Sequence, residues 1–210
     1  MTHLILVRHG ESIWHQENRY AGSSDIGLAP RGYRDVELLA DWARTARLDA
    51  LWVSSLSRTQ ETARPVARVT GLEPHIDARL RELGFGQGEG RTRAEMEQLF
   101  PEALKVFTID PVAHPLPGGE DPRAATERGV ACLHDIAEMH PEGRVLVVTH
   151  STLLRLALCQ LIGLPLAQYR NVFPIVYNCT LTEINLTGKQ ASLLMFNAPM
   201  FQQTGGETTP

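Results

Sequence analysis

Three short apolar runs, Leu4–Val7, Ala50–Val53 and Val145–Thr149, carry no polar alternation. Their length and β-branched or leucine-rich character predict strands covered on both faces of a sheet. Each is followed by a segment of helical spacing. After the first, Pro30 marks an opening helical turn, and Val36, Leu39, Ala40 and Ala43 line one face. After the second, Ser57-Arg58-Thr59-Gln60 reads as a capping box for a helix to about Val69, stopped by Gly71. After the third, a helix over Thr152–Ile162 ends at Gly163, ahead of Pro165.

Thr92-Arg93-Ala94-Glu95 reads as a second capping box, and Asp121-Pro122 opens a helix with Val130, Leu133 and either Ile136 or Ala137 on one face. Thr180–Asn185 and Ala191–Phe196 predict two later strands joined by a turn at Thr187-Gly188. The stretch from Gly84 to Gly119 is rich in Gly and Pro and only weakly periodic, which predicts an excursion from the sheet. Strands alternating with helices predict an α/β fold with a mostly parallel central sheet. We expect a single domain over residues 1–197 and a flexible tail over 198–210.

Composition narrows the function. A chain of 210 residues buries enough surface to fold without disulfides or metal. With 43% hydrophobic and 21% charged residues, wholesale disorder is excluded. A net charge of −4 argues against nucleic acid as a partner. The three cysteines, Cys132, Cys159 and Cys179, form no CxxC pair, which argues against a disulfide framework and fits a reducing cytosol. The start, Met1 to Val7, has no basic leader. The longest apolar stretch, Leu153–Leu166, is broken by Arg155 and Gln160 and falls short of the ~20 residues of a membrane span. The expectation is a cytoplasmic protein without a membrane partner. Arginine outnumbers lysine 18 to 2, a skew that phosphate recognition and codon usage explain equally well.

In open α/β sheets, ligands collect beyond the carboxyl ends of the strands. Arg8 and His9 follow the first strand, Ser54 to Arg58 the second, and His150-Ser151 the third. Two histidines and two arginines thus converge near helix N-termini, which suits a phosphoryl group. A solvated loop charge accounts for one such residue, and poorly for four at three strand ends.

These residues also carry a resemblance. Leu6-Val7-Arg8-His9-Gly10-Glu11-Ser12 resembles the signature of the histidine phosphatase superfamily, in the branch that includes cofactor-dependent phosphoglycerate mutases. The likeness runs from residue 4 to about 186. It takes in Asp25, Leu28 and Gly32, the run from Ser54 to Ala63, Leu80 to Gly86 with Glu89-Gly90, Pro117-Gly118-Gly119-Glu120, Val147 to His150 and Asn178. It implies a three-layer α/β/α sandwich of the phosphoglycerate-mutase type. It implies His9 as nucleophile, forming a phosphohistidine, with Arg8, Arg58 and His150 supplying charge and hydrogen bonds to the phosphoryl oxygens, without metal or cofactor. Glu82 matches the family's acid/base carboxylate. Ser12, His15, Gly22 and Ser151 fall where phosphate or substrate is held. Three positions depart from the family pattern: His15 stands where Asn is common, Ala21 where Gln precedes Gly22, and Ser151 where Gly follows the second histidine.

Other motifs carry less. The alternating glycines of Gly84 to Gly90 do not join a strand to a helix as a dinucleotide loop does, and no Gly-x-Ser-x-Gly elbow surrounds Ser12. His3, His75, His134 and His140 read as surface or packing histidines, and Trp14 and Trp42 as buried.

The leading expectation is a phosphoric monoester hydrolase acting on a small phosphorylated metabolite. The alternative is a phosphoglycerate mutase using the same histidine, which the short Gly90–Pro117 excursion disfavours because a more open pocket admits water. A non-catalytic phosphate-binding module ranks third, since all five expected catalytic residues are present. The sequence sets no oligomeric state and is compatible with a homodimer.

Overall fold

The computed structural model describes residues 1–200. Its centre is a six-stranded sheet in the order β3-β2-β4-β1-β5-β6, formed by β1 (Thr2–Arg8), β2 (Ala50–Ser54), β3 (Pro74–Asp77), β4 (Arg144–Thr149), β5 (Leu181–Thr187) and β6 (Gln190–Ala198). The first four strands in that order are parallel, while β5 runs antiparallel to β1 and β6 antiparallel to β5.

Alternation along β1 explains the layers. Leu4 and Leu6 face a core closed by α6 (Pro122–Met139) and α7 (Ser151–Leu161), whereas Ile5 and Val7 face one closed by α2 (Pro30–Ala43) and α3 (Ser57–Thr70). Helices therefore cover both faces, which is why β1 and β4 read as uninterrupted apolar runs. The sandwich matches the expectation.

The excursion is more structured than its weak periodicity suggests. It holds α4 (Arg93–Leu99) and α5 (Pro101–Ile109), which gather with Leu83, Phe85 and Leu116 into a third apolar cluster. The capping box at Thr92 is formed, with Glu95 N–H donating to Thr92 Oγ1 at 3.2 Å. The one expected at Ser57 is not. The cap of α3 is Leu56; Ser57 donates from both its N–H and its hydroxyl to Asp25, at 2.7 and 2.8 Å, and Gln60 donates to Ser55 O.

Strand β3 was not expected; it is an edge strand with its middle residues exposed and has no apolar run to betray it. The last strand runs through Ala198, beyond the expected end of the domain, and Met200 packs against the core. The rest of the expected tail, 201–210, lies outside the described residues.

His75 stacks on Trp52 at 4.9 Å, and His140 accepts from Trp52 Nε1, both packing roles. Trp14 and Trp42 are half-buried rather than buried. All three cysteines are free and buried.

Candidate active site

Strand register brings the chemistry together. Arg8 lies opposite Thr149, and Val53 opposite Val148, so His9, Ser54 and His150 fall side by side at the carboxyl edge of three adjacent strands. Backbone continues the ladder one step further, His9 N–H donating to Thr149 O at 3.0 Å. The short α1 (Ile13–Gln16) then folds His15 back over the same edge.

His9 is 4% exposed and its tautomer is set by its contacts. Nδ1 sits 2.7 Å from the carbonyl of Gly10, so it carries the proton. Nε2 accepts from Arg58 Nε at 3.2 Å and therefore presents a lone pair to the site. Asn178 donates to the His9 carbonyl at 2.7 Å and holds the backbone. Burial, then the charge of Arg58 and the neighbouring His150, Arg8 and His15, hold the imidazole pKa well below its usual value. His9 is a neutral ring at physiological pH, its one lone pair, on Nε2, turned toward Arg58.

Arg58 is fully buried, yet each nitrogen is engaged: Nη1 donates to Ser24 O at 2.8 Å, Nη2 to Gly22 O at 2.7 Å and Nε to His9. Gly22 sits at φ +50°, where a Cβ would drive into the Glu89 carboxylate, so glycine is required to present that carbonyl. Burial lowers the pKa of Arg58 to about 10, which leaves it charged.

Arg8 is likewise lowered to about 10, chiefly by burial, and donates from Nη1 to Val176 O at 2.6 Å. Its Nε is buried without a partner among the described residues, and so is Nδ1 of His150. His150 is wholly buried, edge-on to His9 at 5.1 Å between ring centres, and its Nε2 lies 2.9 Å from the hydroxyl of Ser54. If Ser54 donates, His150 Nδ1 carries the proton. Two orphaned donors beside one nucleophilic nitrogen suit a tetrahedral oxyanion.

His15 meets two donors. Ser12 N–H donates to its Nδ1 at 2.9 Å, the Ser12 hydroxyl lies 3.0 Å from the same atom, and its Nε2 is in hydrogen-bond contact with Arg8 Nη2. Burial first, then Arg8 and Arg58, lower the His15 pKa to about 3. This ring is neutral and adds no positive charge to the site. Ser12 was expected at the phosphate and is not there. It is fully buried, it does not line the cavity, and both its donors are spent on His15.

Glu82 is 7% exposed and accepts three backbone N–H bonds at 2.9 Å: from Leu83 and Leu153 at Oε1, and from Thr152 at Oε2. Two of these donors belong to the first turn of α7, so the carboxylate also satisfies that helix end. One lone-pair direction on Oε2 is left for a proton.

Arg8, His9, His15, Gly22, Glu82 and Ser151 line one cavity of about 410 Å³, a volume suited to a small metabolite. Arg58 borders it too. A larger hollow of about 850 Å³ lies at the amino end of β1 and the carboxyl end of β5, among Val130, Ala137 and Leu161, away from these groups. Among the described residues, no three His, Cys, Asp or Glu side chains gather to hold a metal ion, and no helix is long and apolar enough to cross a membrane.

A family model described as the histidine phosphatase superfamily, branch 1, matches residues 4–199. The chain belongs to that superfamily. Phosphoserine phosphatase 1 of Hydrogenobacter thermophilus is 32% identical over 169 residues, 80% of each chain. A probable phosphoglycerate mutase, GpmB, of an Enterobacter species is 32% identical over 188 residues, 88% of this chain and 85% of that one. The solved structure of YhfR from Bacillus stearothermophilus superimposes with a TM-score of 0.89 at 29% identity, covering 94% of this chain and 98% of the other.

Within this superfamily member, several site residues escaped assignment from the sequence. Ser54 was read as part of a motif, yet it orients His150. Asn178 stood in the resemblance without a role. Arg155, which also lines the cavity, interrupts an otherwise apolar helix face, and that lone cation was the available signal.

The crowded histidines have a consequence for stability. His9, His15 and His150 all have pKa values below the ordinary range, each first because of burial. An unfolded chain takes up their protons as pH falls through about 6.5, while the folded chain does not. Stability is therefore complete above that pH and lost progressively below it. Urea midpoints between pH 7.5 and 5.5 should fall steeply. The substitution His15→Asn should reduce the fall. A fall unaffected by His15→Asn would contradict the assigned protonation.

Proposed function

We propose that this protein is a phosphoric monoester hydrolase acting on a small phosphorylated metabolite through a phosphohistidine on His9. The observation that carries the reading is the neutral His9 ring in one cavity with Arg8 and Glu82, its Nε2 lone pair turned toward Arg58 and its ring edge-on to His150. Phosphoryl transfer develops charge on the equatorial oxygens, so such fixed donors are its chief requirement.

In this reading the phosphoryl group enters among Arg8, Arg58 and His15, which line the cavity, with the wholly buried His150 behind them, edge-on to His9. His9 Nε2 attacks phosphorus, the bond to the leaving oxygen breaks, and Glu82 delivers a proton to that oxygen. Glu82 then takes a proton from water as it attacks the phosphohistidine, releasing phosphate and restoring the His9 lone pair. Gly22 and Ser151 shape the entrance. Ser12 acts indirectly, through His15.

Access for water favours hydrolysis over mutase chemistry. Of the excursion over residues 84–119, only Phe85 lines the cavity among the described residues, so little of it covers the intermediate. The relatives above bear the names of both activities, phosphoserine phosphatase and phosphoglycerate mutase.

A screen of phosphorylated metabolites for phosphate release, run with EDTA present, tests the proposal. We expect release that survives chelation and competitive inhibition by vanadate. Efficient interconversion of 2- and 3-phosphoglycerate without phosphate release would favour the mutase instead. Activity lost to EDTA and restored by a divalent ion would overturn the metal-free scheme.

A further inference from the structure

Beyond the groups around His9, the cavity wall carries two further guanidinium groups with no carboxylate partner among the described residues, Arg155 of α7 and Arg170 of α8 (Tyr169–Val172). They flank one buried ring, with guanidinium carbons 5.0 Å and 5.5 Å from the centre of Tyr169. Arg170 is anchored twice more. Its Nε donates to the Tyr169 hydroxyl at 3.0 Å, and its guanidinium lies 4.7 Å over the ring of Phe107 from α5. Phe107 and Tyr169 both belong to apolar clusters, so the side chain is held against packed core and not swung free in solvent.

None of these contacts uses the outer nitrogens. Among the described residues, Nη1 and Nη2 of Arg170 have no hydrogen-bond partner, and neither Arg155 nor Arg170 forms a salt bridge. Arg155 donates from Nε to Ser151 O and from Nη1 to the carbonyls of Phe173 and Pro174, which leaves its Nη2 without a partner. Arg19, on the same wall, is different: it is paired with Glu17 and Glu95 at 2.6 and 2.7 Å.

Charge balance points the same way. Arg8, Arg58, Arg155 and Arg170 carry four positive charges with Glu82 as the one carboxylate lining the cavity. A phosphoryl dianion leaves positive charge uncompensated, whether or not Glu82 carries the proton it delivers. A half-buried guanidinium with free in-plane donors is matched geometrically by a carboxylate.

We propose that Arg170, backed by Arg155, binds a carboxylate on the substrate and so selects phosphorylated acids over neutral phosphate esters. The proposal rests on the hydrolase reading for where the phosphoryl end lies. It extends that reading by naming the substrate class.

The test is a calorimetric titration of the His9→Ala protein with 3-phosphoglycerate and with glycerol 3-phosphate, which differ by a carboxylate in place of a hydroxymethyl group. The acid should bind at least about 10-fold more tightly, as expected for a charge-assisted pair. Adding Arg170→Gln should bring the two affinities within about 2-fold of one another, and Arg170→Lys should keep part of the preference. Equal affinities in the His9→Ala protein, or a preference that survives Arg170→Gln, would overturn the assignment. Phosphate release by the unsubstituted enzyme is measured separately on both compounds. Discrimination without release from either supports the carboxylate site and rejects the hydrolase reading.

Discussion

Replacing His9 by Ala should lower turnover at least about 10⁴-fold, because the nucleophile and its covalent intermediate vanish together. The fold should survive. Apart from packing, the imidazole contributes one hydrogen bond to Gly10 O and one from Arg58, and the His9 backbone stays pinned by Asn178 and Thr149. Far-ultraviolet circular dichroism should match the unsubstituted protein at pH 7.5, and vanadate should still bind to the remaining donors. Turnover within 10-fold of the unsubstituted enzyme would remove His9 from the chemistry.

Arg58 comes second in expected effect. Its guanidinium spans His9 Nε2, Gly22 O and Ser24 O at once, so it aligns the nucleophile and ties down the loop that carries Gly22. Arg58→Ala should cost about 10²–10³-fold in kcat/KM. It should also cost stability, since two carbonyls lose their charged donor at about 1–3 kcal/mol each. The informative comparison is Arg58→Lys. A charge alone would be restored by lysine, whereas a planar fork meeting three acceptors is not. We expect Arg58→Lys to recover less than about 10-fold of the loss. Full recovery would mean that charge, and not alignment, is the contribution.

The layered sheet was legible because buried parallel strands must be apolar on both faces, and Leu4–Val7 and Val145–Thr149 are. Strand ends then marked the site, since register sets Arg8, Ser54 and His150 along one edge without help from distant contacts. What failed were features decided by tertiary partners. Ser57 has the local pattern of a helix cap, but the Asp25 carboxylate, 32 residues away, takes its hydroxyl and its N–H. Strand β3 is held by pairing with β2 and needs no hydrophobic pattern of its own.

The same distinction runs through the site. Glu82 was assigned from resemblance alone; only the folded chain brings it onto the first turn of α7. Ser12 lies in the signature, yet it faces His15 and not the cavity. At His15 the departure from the family's Asn adds no charge. The N–H of Ser12 already occupies Nδ1, and a pKa of about 3 keeps the ring neutral. Arg170 had no sequence signal, because its orientation depends on Phe107, which lies 63 residues earlier in the chain.

The central claim is the covalent intermediate on His9. Brief exposure to a ³²P-labelled phosphomonoester, quenched in alkali, should leave label on the unsubstituted protein. That label should be lost in acid and map by peptide sequencing to His9. Phosphate release with no alkali-stable label, under conditions fast enough to catch one turnover, or label on any residue other than His9, would contradict the account.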